Sequence, residues 1–168
     1  MVYLSPAPLY HAAPLRFCLA AHQLGATVVV MEHFDPEAYL AAVERYRATH
    51  SQVVPTMFVR MLKLPADVRS KYDVSSLQCV IHAAAPCPVP VKQRLIDWLG
   101  PIVVEYYAAT EGVGSFVDSA TWLAKPGTVG KPVTEGQVKI GDDESDELPR
   151  GEIGLVWLKA MPGARFDY

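Results

Sequence analysis

The sequence lacks the features of several large classes of protein. It has 15 basic and 18 acidic residues among 168, and a formal net charge of −3 excludes a nucleic-acid binder that depends on bulk positive charge. No run approaches the roughly 20 apolar residues that a helix needs to cross a bilayer. Residues 1–4 also lack the basic start of a signal peptide. We therefore expect neither a nucleic-acid partner nor a transmembrane segment.

Cysteine is scarce as well. The three cysteines, Cys18, Cys79 and Cys87, are an odd number at unrelated spacings, which gives no disulfide framework. No Cys-x-x-Cys pair is present to hold zinc. This pattern is typical of a reducing compartment, so we expect a cytoplasmic protein.

What the chain does have is the composition of an ordinary globular domain, with 51% hydrophobic and 20% charged residues. Strand-like and helix-like patterns alternate along its first part. The predicted strands are residues 2–4, 26–31, 52–54, 77–82 and 102–105. The predicted helices are residues 14–24, 35–49, 55–62 and 91–100. This alternation predicts an α/β fold, with a mainly parallel sheet and flanking helices.

Two of these elements carry more specific expectations. Residues 26–31 are uniformly apolar, which is typical of a strand covered on both faces. In the first helix, Leu15, Cys18, Leu19 and His22 share one face at helical spacing.

The character of the sequence changes near residue 117. Glycines break the remaining chain into short segments, and residues 138–140 and 153–159 are predicted strands of a β-rich, antiparallel segment. We divide the chain into an α/β subdomain, residues 1–116, and this β-rich segment, residues 117–168, of the same domain. Both ends look cut, which indicates a truncated part of a larger domain. Such a piece is expected to expose apolar faces and to self-associate through them.

Polar or small residues follow four of the predicted parallel strands. In open parallel sheets, ligands bind beyond the carboxyl ends of the strands, so these segments are expected to share a cleft. They are Leu9-Tyr10-His11, Val54-Pro55-Thr56, Ala83-Ala84-Ala85-Pro86 and the residues from Tyr106 to Gly112.

The last of these segments contains three groups suited to a nucleotide. The ring of Tyr107 can stack on a flat heterocycle, and the hydroxyl of Thr110 can donate to a phosphate oxygen. The carboxylate of Glu111 is a hard oxygen ligand of the kind that Mg²⁺ prefers. The same residues are also compatible with a strand and loop that hold a buried tyrosine, and without further information the residues favour that structural interpretation.

The segment Tyr107-Ala108-Ala109-Thr110-Glu111 resembles the Tyr-Gly-x-Thr-Glu motif of the adenylate-forming enzymes. Four more segments resemble motifs of that family and occur in its order, so the resemblance covers essentially the whole chain. They are Pro8-Leu9-Tyr10-His11, Ala83-Ala84-Ala85-Pro86, the Lys-Pro-Gly-Thr-Val-Gly-Lys-Pro stretch at 125–132 and the Gly-Glu-Ile segment at 151–156.

The resemblance implies an activity and a set of roles. His11 and residues 54–58 are most similar to the fatty-acyl-CoA and related carboxylate–CoA ligases. In that family a carboxylate attacks ATP to give an acyl-adenylate, and coenzyme A then displaces AMP. By position, Tyr107 would stack on adenine, Thr110 would bind the α-phosphate, and Glu111 would bind Mg²⁺. The loop Ala83-Ala84-Ala85-Pro86 would edge the base. His11 would lie near the acyl carboxylate, which makes His11, Thr110 and Glu111 the candidate catalytic residues.

The sequence departs from the family pattern in two ways. Ala108 and Ala83 stand where the family has glycine, and a Cβ at position 108 opposes a close approach of the backbone to the nucleotide. The family's phosphate loop, ribose-binding Gly-Asp segment and C-terminal domain with its catalytic lysine have no counterpart here. We therefore expect a fragment of the large N-terminal domain of an acyl-CoA synthetase, inactive by itself.

Three alternatives remain open. One is another adenylate-forming enzyme, such as an aryl-acid ligase, and another is a non-catalytic binding module derived from one. The third is a thiol acyltransferase that uses Cys87, whose pKa a helix N-terminus would lower, with His82 as its base. Without such a role, His82 is expected to be a buried, hydrogen-bonded core residue.

Overall fold

The computed structural model describes residues 1–109, 112–134, 138–144 and 146–159. The strands are β1 (Val2–Ser5), β2 (Thr27–Val30), β3 (His50–Val53), β4 (Cys79–His82), β5 (Val103–Ala109), β6 (Gly112–Val117), β7 (Lys131–Pro132), β8 (Val138–Gly141) and β9 (Leu155–Leu158). The helices are α1 (Ala12–Gln23), α2 (Pro36–Tyr46), α3 (Pro55–Leu62), α4 (Ala66–Arg69), α5 (Val89–Leu99) and α6 (Ser119–Ala124).

Seven strands of the described chain form one sheet in the order β2-β1-β3-β4-β5-β6-β7. The strands from β2 to β5 pair in parallel, whereas β6 and β7 extend the sheet in antiparallel pairing. The strands β8 and β9 form a separate antiparallel pair. The predicted fold class, a mainly parallel α/β sheet followed by a short antiparallel segment, is confirmed. The division of the chain at residue 116 stays a prediction.

The order of the strands places the helices on two faces. The chain steps from β1 to β2 in one direction and from β3 to β5 in the other, and right-handed crossovers then put α1 opposite α2, α3 and α5. Two apolar clusters reflect this arrangement. The larger one joins α2, α3 and α5 to β-strand residues such as Val53, Val80 and Val103, and the smaller one packs Cys18 and Ala21 of α1 on Tyr3. One face of the sheet therefore depends on α1 for its cover.

Helix α2 shows how local sequence sets the element boundaries. The carboxylate of Asp35 accepts hydrogen bonds from the backbone N–H groups of Glu37 and Ala38 at 3.0 and 2.9 Å, and Pro36 occupies the first helical position. The helix ends at Tyr46, earlier than predicted, because Arg47 adopts the left-handed conformation with φ 52°.

Two expectations about α1 and β2 are wrong. Strand β2 lies at the edge of the sheet, where it pairs with β1 alone among the described strands, so Val30 is 49% exposed instead of covered on both faces. On α1 the buried residues are Pro14, Cys18 and Ala21, while Leu19 is 54% exposed. The predicted face and the observed buried face both have helical spacing. The observed face has smaller side chains, which allow the helix to pack closely on the sheet.

The region after residue 105 differs most from expectation. Strand β5 continues to Ala109 and pairs with β6, with an irregularity in the register between Tyr107 and Ala108. Helix α6 follows, capped by the Asp118 carboxylate that accepts from the Thr121 N–H at 2.7 Å. The predicted loop after Glu105 is thus a hairpin in large part.

Gly130 explains part of the motif at 125–132. Its φ is +91°, and a Cβ at this position would overlap the backbone carbonyl of Phe116. Only glycine lets this segment approach β6 so closely.

None of the helices in the described part of the chain has the length and apolar character needed to span a bilayer.

Candidate functional site

A pocket of about 480 Å³ opens on the α1 face of the sheet. Among the described residues, small side chains make up most of its wall, with three larger apolar side chains and two that carry polar groups. The wall consists of Ala12, Ala13, Arg16, Phe17, Ile81, Ala83, Ala84, Tyr106, Ala108, Ala109 and Phe116.

Two of the four predicted segments line this pocket, and the wall continues directly after a third, Leu9-Tyr10-His11. The residues just after His11, the start of the 83–86 loop and the end of β5 all lie along its wall, since the parallel strands and the start of α1 meet at one edge of the sheet. Val54-Pro55-Thr56 does not line it. That segment begins α3, whose Met57 and Phe58 are buried in the larger core on the opposite face.

Most of the loop after β4 is exposed. Ala83 is buried, whereas Ala84, Ala85 and Pro86 are exposed. Ala84 has φ 75°, a left-handed conformation that strains any residue with a Cβ. Ala83 keeps an ordinary φ, so the absence of the family's glycine there has no backbone consequence. Strain of this kind is concentrated at functional sites.

The two tyrosines of β5 point to opposite faces of the sheet. Tyr106 lines the pocket, with its ring 6.0 Å from that of Phe17. Tyr107 is 43% exposed, and a Cβ added at Gly114 would come within 3.2 Å of Tyr107 Cδ1. The Tyr107 ring therefore lies close to Gly114 of β6. Thr110 and Glu111, the next predicted site residues, lie outside the described residues.

His11 stands at the mouth of this region as the residue before α1. Its side chain makes no capping hydrogen bond, and its ring centroid lies 4.5 Å from that of Tyr10. Both residues are exposed, and the pocket wall begins at the adjacent Ala12. The predicted proximity of His11 to a substrate carboxylate stays a prediction.

A buried charged cluster lies beneath the 83–86 loop on the other face. The Lys92 ammonium is 2.7 Å from Glu105 Oε2, with the lysine side chain fully buried and the glutamate 9% exposed. Lys92 Nζ also lies 5.1 Å from the centre of the Trp122 ring, within range of a cation–π interaction. The pair links α5, the helix that follows the 83–86 loop, to β5, the strand that contains Tyr107. The sequence analysis missed it, although a lysine on the inner face of an amphipathic helix is a detectable signal.

His82 belongs to the same cluster. It is fully buried, as expected, but neither ring nitrogen has a hydrogen-bond partner among the described residues, so the second half of that expectation is wrong. Its Nε2 lies 3.5 Å from Glu105 Oε2, which already binds Lys92. Burial, and then the charge of Lys92, lower the pKa of His82 to about 3, so its imidazole is neutral at physiological pH.

Cys87 does not have the environment of a nucleophile. Burial, with a further contribution from the Glu105 charge, raises the pKa of its thiol to about 11. A thiol with this pKa is protonated near neutral pH. His82, with a pKa of about 3, is too weak a base to deprotonate it. The geometry therefore gives no support to a thiol acyltransferase.

Other residues of the pocket escaped prediction. Arg16 and Phe17 lie one turn into α1 from Ala12 and Ala13, and this i, i+4 spacing on the face that follows His11 was a usable signal. Phe116 could not be found this way because β6 was not predicted.

Over the described residues no group of three or more His, Cys, Asp or Glu side chains is arranged to hold a metal ion.

Together, the fold and the pocket define an α/β protein with a pocket at the carboxyl edge of a mainly parallel sheet. The family model for AMP-binding enzymes matches residues 1–163. The chain therefore belongs to the AMP-binding enzyme family, which confirms the resemblance to adenylate-forming enzymes.

Individual relatives agree with this assignment. The chain is 30% identical over 162 residues to a probable CoA ligase of Humulus lupulus, covering 94% of this chain and 29% of the relative. It is 36% identical over 153 residues to a feruloyl-CoA synthase of Amycolatopsis, covering 89% and 30%. Among solved structures, it is similar to an amide bond synthetase of Marinactinospora thermotolerans, with a TM-score of 0.79, 31% identity and coverage of 94% and 32%. The chain thus spans less than a third of the length of the curated relatives it matches here.

Proposed function

We propose that this chain forms part of an ATP-dependent acyl-CoA synthetase, which joins a carboxylic acid to AMP and then transfers the acyl group to coenzyme A. The observation that carries the proposal is the pocket beside the 83–86 loop and β5, in a chain of the AMP-binding enzyme family. A cytoplasmic location, expected from the cysteine content, is part of the same proposal.

Two features of the described residues support a nucleotide next to this pocket. Ala84 has a left-handed backbone conformation in an exposed part of the loop. Tyr107 offers an exposed ring, close to Gly114, on which a flat base can stack. We propose that the loop from Ala83 to Pro86 borders adenine and that Tyr107 stacks on it.

The charged steps are assigned to the residues that follow. In this proposal the Thr110 hydroxyl donates to the α-phosphate, and the Glu111 carboxylate binds Mg²⁺. A bound Mg²⁺ supplies positive charge, which lowers the repulsion between a carboxylate and ATP and stabilises the charge of the transition state. These assignments rest on the family resemblance at positions 110 and 111.

The acid would enter the pocket with its carboxylate toward His11. The alanines at 12, 13, 83, 84, 108 and 109 leave the pocket wide, and its apolar wall suits a hydrocarbon chain. We keep a fatty acid as the proposed substrate. An aromatic acid is the second candidate, and the observation that favours it is the likeness to a feruloyl-CoA synthase.

The test uses the full-length protein and the exchange of labelled pyrophosphate into ATP. We expect exchange that depends on an added carboxylic acid, and we expect Glu111→Gln to abolish it. Glu32→Gln removes the same charge at an exposed position away from the pocket and is the matched control. Unchanged exchange in Glu111→Gln would refute the role of Glu111.

The same assay distinguishes the proposed ligase from the remaining alternative. A non-catalytic binding module would bind nucleotide without supporting exchange with any aliphatic or aromatic acid. The 168-residue chain by itself is expected to be inactive, so a chain of this length that turns over would contradict the proposal.

A further inference from the structure

Arg16 is the cationic side chain on the pocket wall. Of the eleven described residues that line the pocket, nine are alanine, isoleucine or phenylalanine, and only Arg16 carries a charge. Within the described chain Arg16 makes no ion pair or side-chain hydrogen bond, unlike Arg47 and Lys92. The described part of the wall therefore contains one positive charge that no other described wall residue neutralises.

Tyr106 supplies a second donor on the same wall. Its ring is half-buried against Phe17, and its hydroxyl makes no hydrogen bond to another described residue. Burial raises the pKa of Tyr106, and the charge of Arg16 opposes that rise, which places the phenol within the field of the guanidinium. The Tyr106 hydroxyl is neutral and can donate a hydrogen bond to the same ligand group as the Arg16 guanidinium.

These two groups set a condition on the ligand that fills the pocket. In water the guanidinium is solvated, but a hydrocarbon chain would displace that water and offer no acceptor in its place. An unpaired donor beside a bound ligand lowers affinity, whereas a carboxylate matches the planar fork of arginine with two parallel hydrogen bonds.

The position of Arg16 on α1 determines how far its side chain lies from His11. His11 immediately precedes α1, and Arg16 follows it by five residues, so the two lie about 7.5 Å apart along the helix axis at 1.5 Å per residue. When the reacting carboxylate lies near His11, the Arg16 side chain is in a position to contact the far end of an acid of medium chain length.

We propose that the acid activated at this site carries a second carboxylate at its remote end, bound by Arg16 with help from Tyr106. The substrate class is a medium-chain aliphatic dicarboxylic acid. This inference rests on the proposed ligase function, and it goes further by naming what the far end of the pocket recognises.

The experiment compares three acids of one chain length with the full-length enzyme. Suberic acid has the second carboxylate, 8-hydroxyoctanoic acid has a neutral acceptor, and octanoic acid has a methyl group. We expect kcat/KM for suberic acid to exceed that for octanoic acid by at least about tenfold, with the hydroxy acid between them. In Arg16→Met the order should reverse, because the described wall loses its one charged side chain. Arg16→Lys should retain part of the preference for suberic acid.

Further variants separate the contributions. Tyr106→Phe should lower kcat/KM for suberic acid by a larger factor than kcat/KM for octanoic acid. Arg45→Gln removes an exposed arginine on α2, outside the pocket wall, and should leave the ratio as it is. Activity of Arg16→Met on octanoic acid shows that this variant is folded.

Each contrary outcome has a distinct meaning. A preference for octanoic acid that Arg16→Met does not change overturns the inference and leaves the ligase function standing. Equal use of suberic and hydroxy acids overturns the requirement for charge. Absence of exchange with every acid overturns the proposed function and this inference together.

Discussion

The ammonium group of Lys92 lies 2.7 Å from a carboxylate oxygen of Glu105, in the core between α5 and β5. Lys92 is fully buried, and Glu105 is nearly so. The strand and helix that this pair joins are the ones that flank the loop at 83–86 and carry Tyr107. The pair therefore holds two parts of the candidate nucleotide site at a fixed separation.

Removing one partner of this pair should destabilise the chain strongly. In Lys92→Met the Glu105 carboxylate stays buried without its counter-charge, and we expect the free energy of unfolding to fall by about 3–5 kcal/mol. Urea denaturation followed by circular dichroism measures the change.

The double variant Lys92→Met with Glu105→Leu is the control for this prediction. It removes both charges and keeps apolar volume, so it should recover much of the lost stability. A double variant no more stable than Lys92→Met would show that shape, and not the unpaired charge, accounts for the loss.

His82 should make stability depend on pH in the acid range. Its pKa is about 3 in the folded chain and near its ordinary value of 6.5 when unfolded, so between these values the unfolded chain binds the extra proton. This contribution is fully present above pH 6.5 and is lost as the pH falls toward 3, at about 1.4 kcal/mol per pH unit. Unfolding free energies measured by urea titration from about pH 4 to about pH 7, a range that includes the ordinary histidine pKa, give the slope.

His82→Leu isolates this effect from the other titrating groups. Because neither ring nitrogen has a partner among the described residues, an apolar replacement should leave stability near pH 7.5 almost unchanged. The slope of stability against pH should then be shallower than in the native chain. Parallel curves for the two proteins would mean that His82 is protonated in the folded state.

The left-handed residue of the 83–86 loop gives a prediction with an internal control. Ala84→Gly relieves the strain at φ 75° and should raise or maintain stability, with a change within about 1 kcal/mol. Ala85→Gly is the same substitution at a neighbour with ordinary φ, and it should lower stability by about 0.5–1 kcal/mol. Thermal unfolding of both variants checks the difference, and equal effects would argue against the left-handed geometry.

Much of the fold was predictable because its signals are local. The cap at Asp35 followed by Pro36 located α2, and short apolar runs located the five parallel strands. The order of the strands in the sheet is set by long-range packing, which short patterns do not contain. For the same reason the apolar run at 26–31 suggested a central strand, whereas β2 lies at an edge.

The candidate site was predictable where it depends on motifs. The loop at 83–86 and the end of β5 were found, and both line the pocket. Arg16 and Phe116 were not, because a pocket wall depends on which faces of α1 and β6 turn inward. For the Lys92–Glu105 pair, the spacing on α5 could have indicated a buried lysine, but the partner lies on β5 and no pattern within one element identifies it.

The outer face of α1 gives the last prediction. Leu15 and Leu19 are one turn apart and both exposed, and Val30 at the adjacent sheet edge is exposed as well. Apolar side chains grouped in this way bury their surface by association, so the 168-residue chain should self-associate. Sedimentation velocity over a range of protein concentrations measures this. Leu19→Lys should shift the distribution toward monomer, since it places a charge in the centre of the patch. Leu123→Lys makes the same change at an exposed leucine of α6 and should have no such effect, because that residue lies outside the patch. A chain that sediments as a monomer at all concentrations would contradict the prediction, and an equal response to both lysines would locate the contact elsewhere.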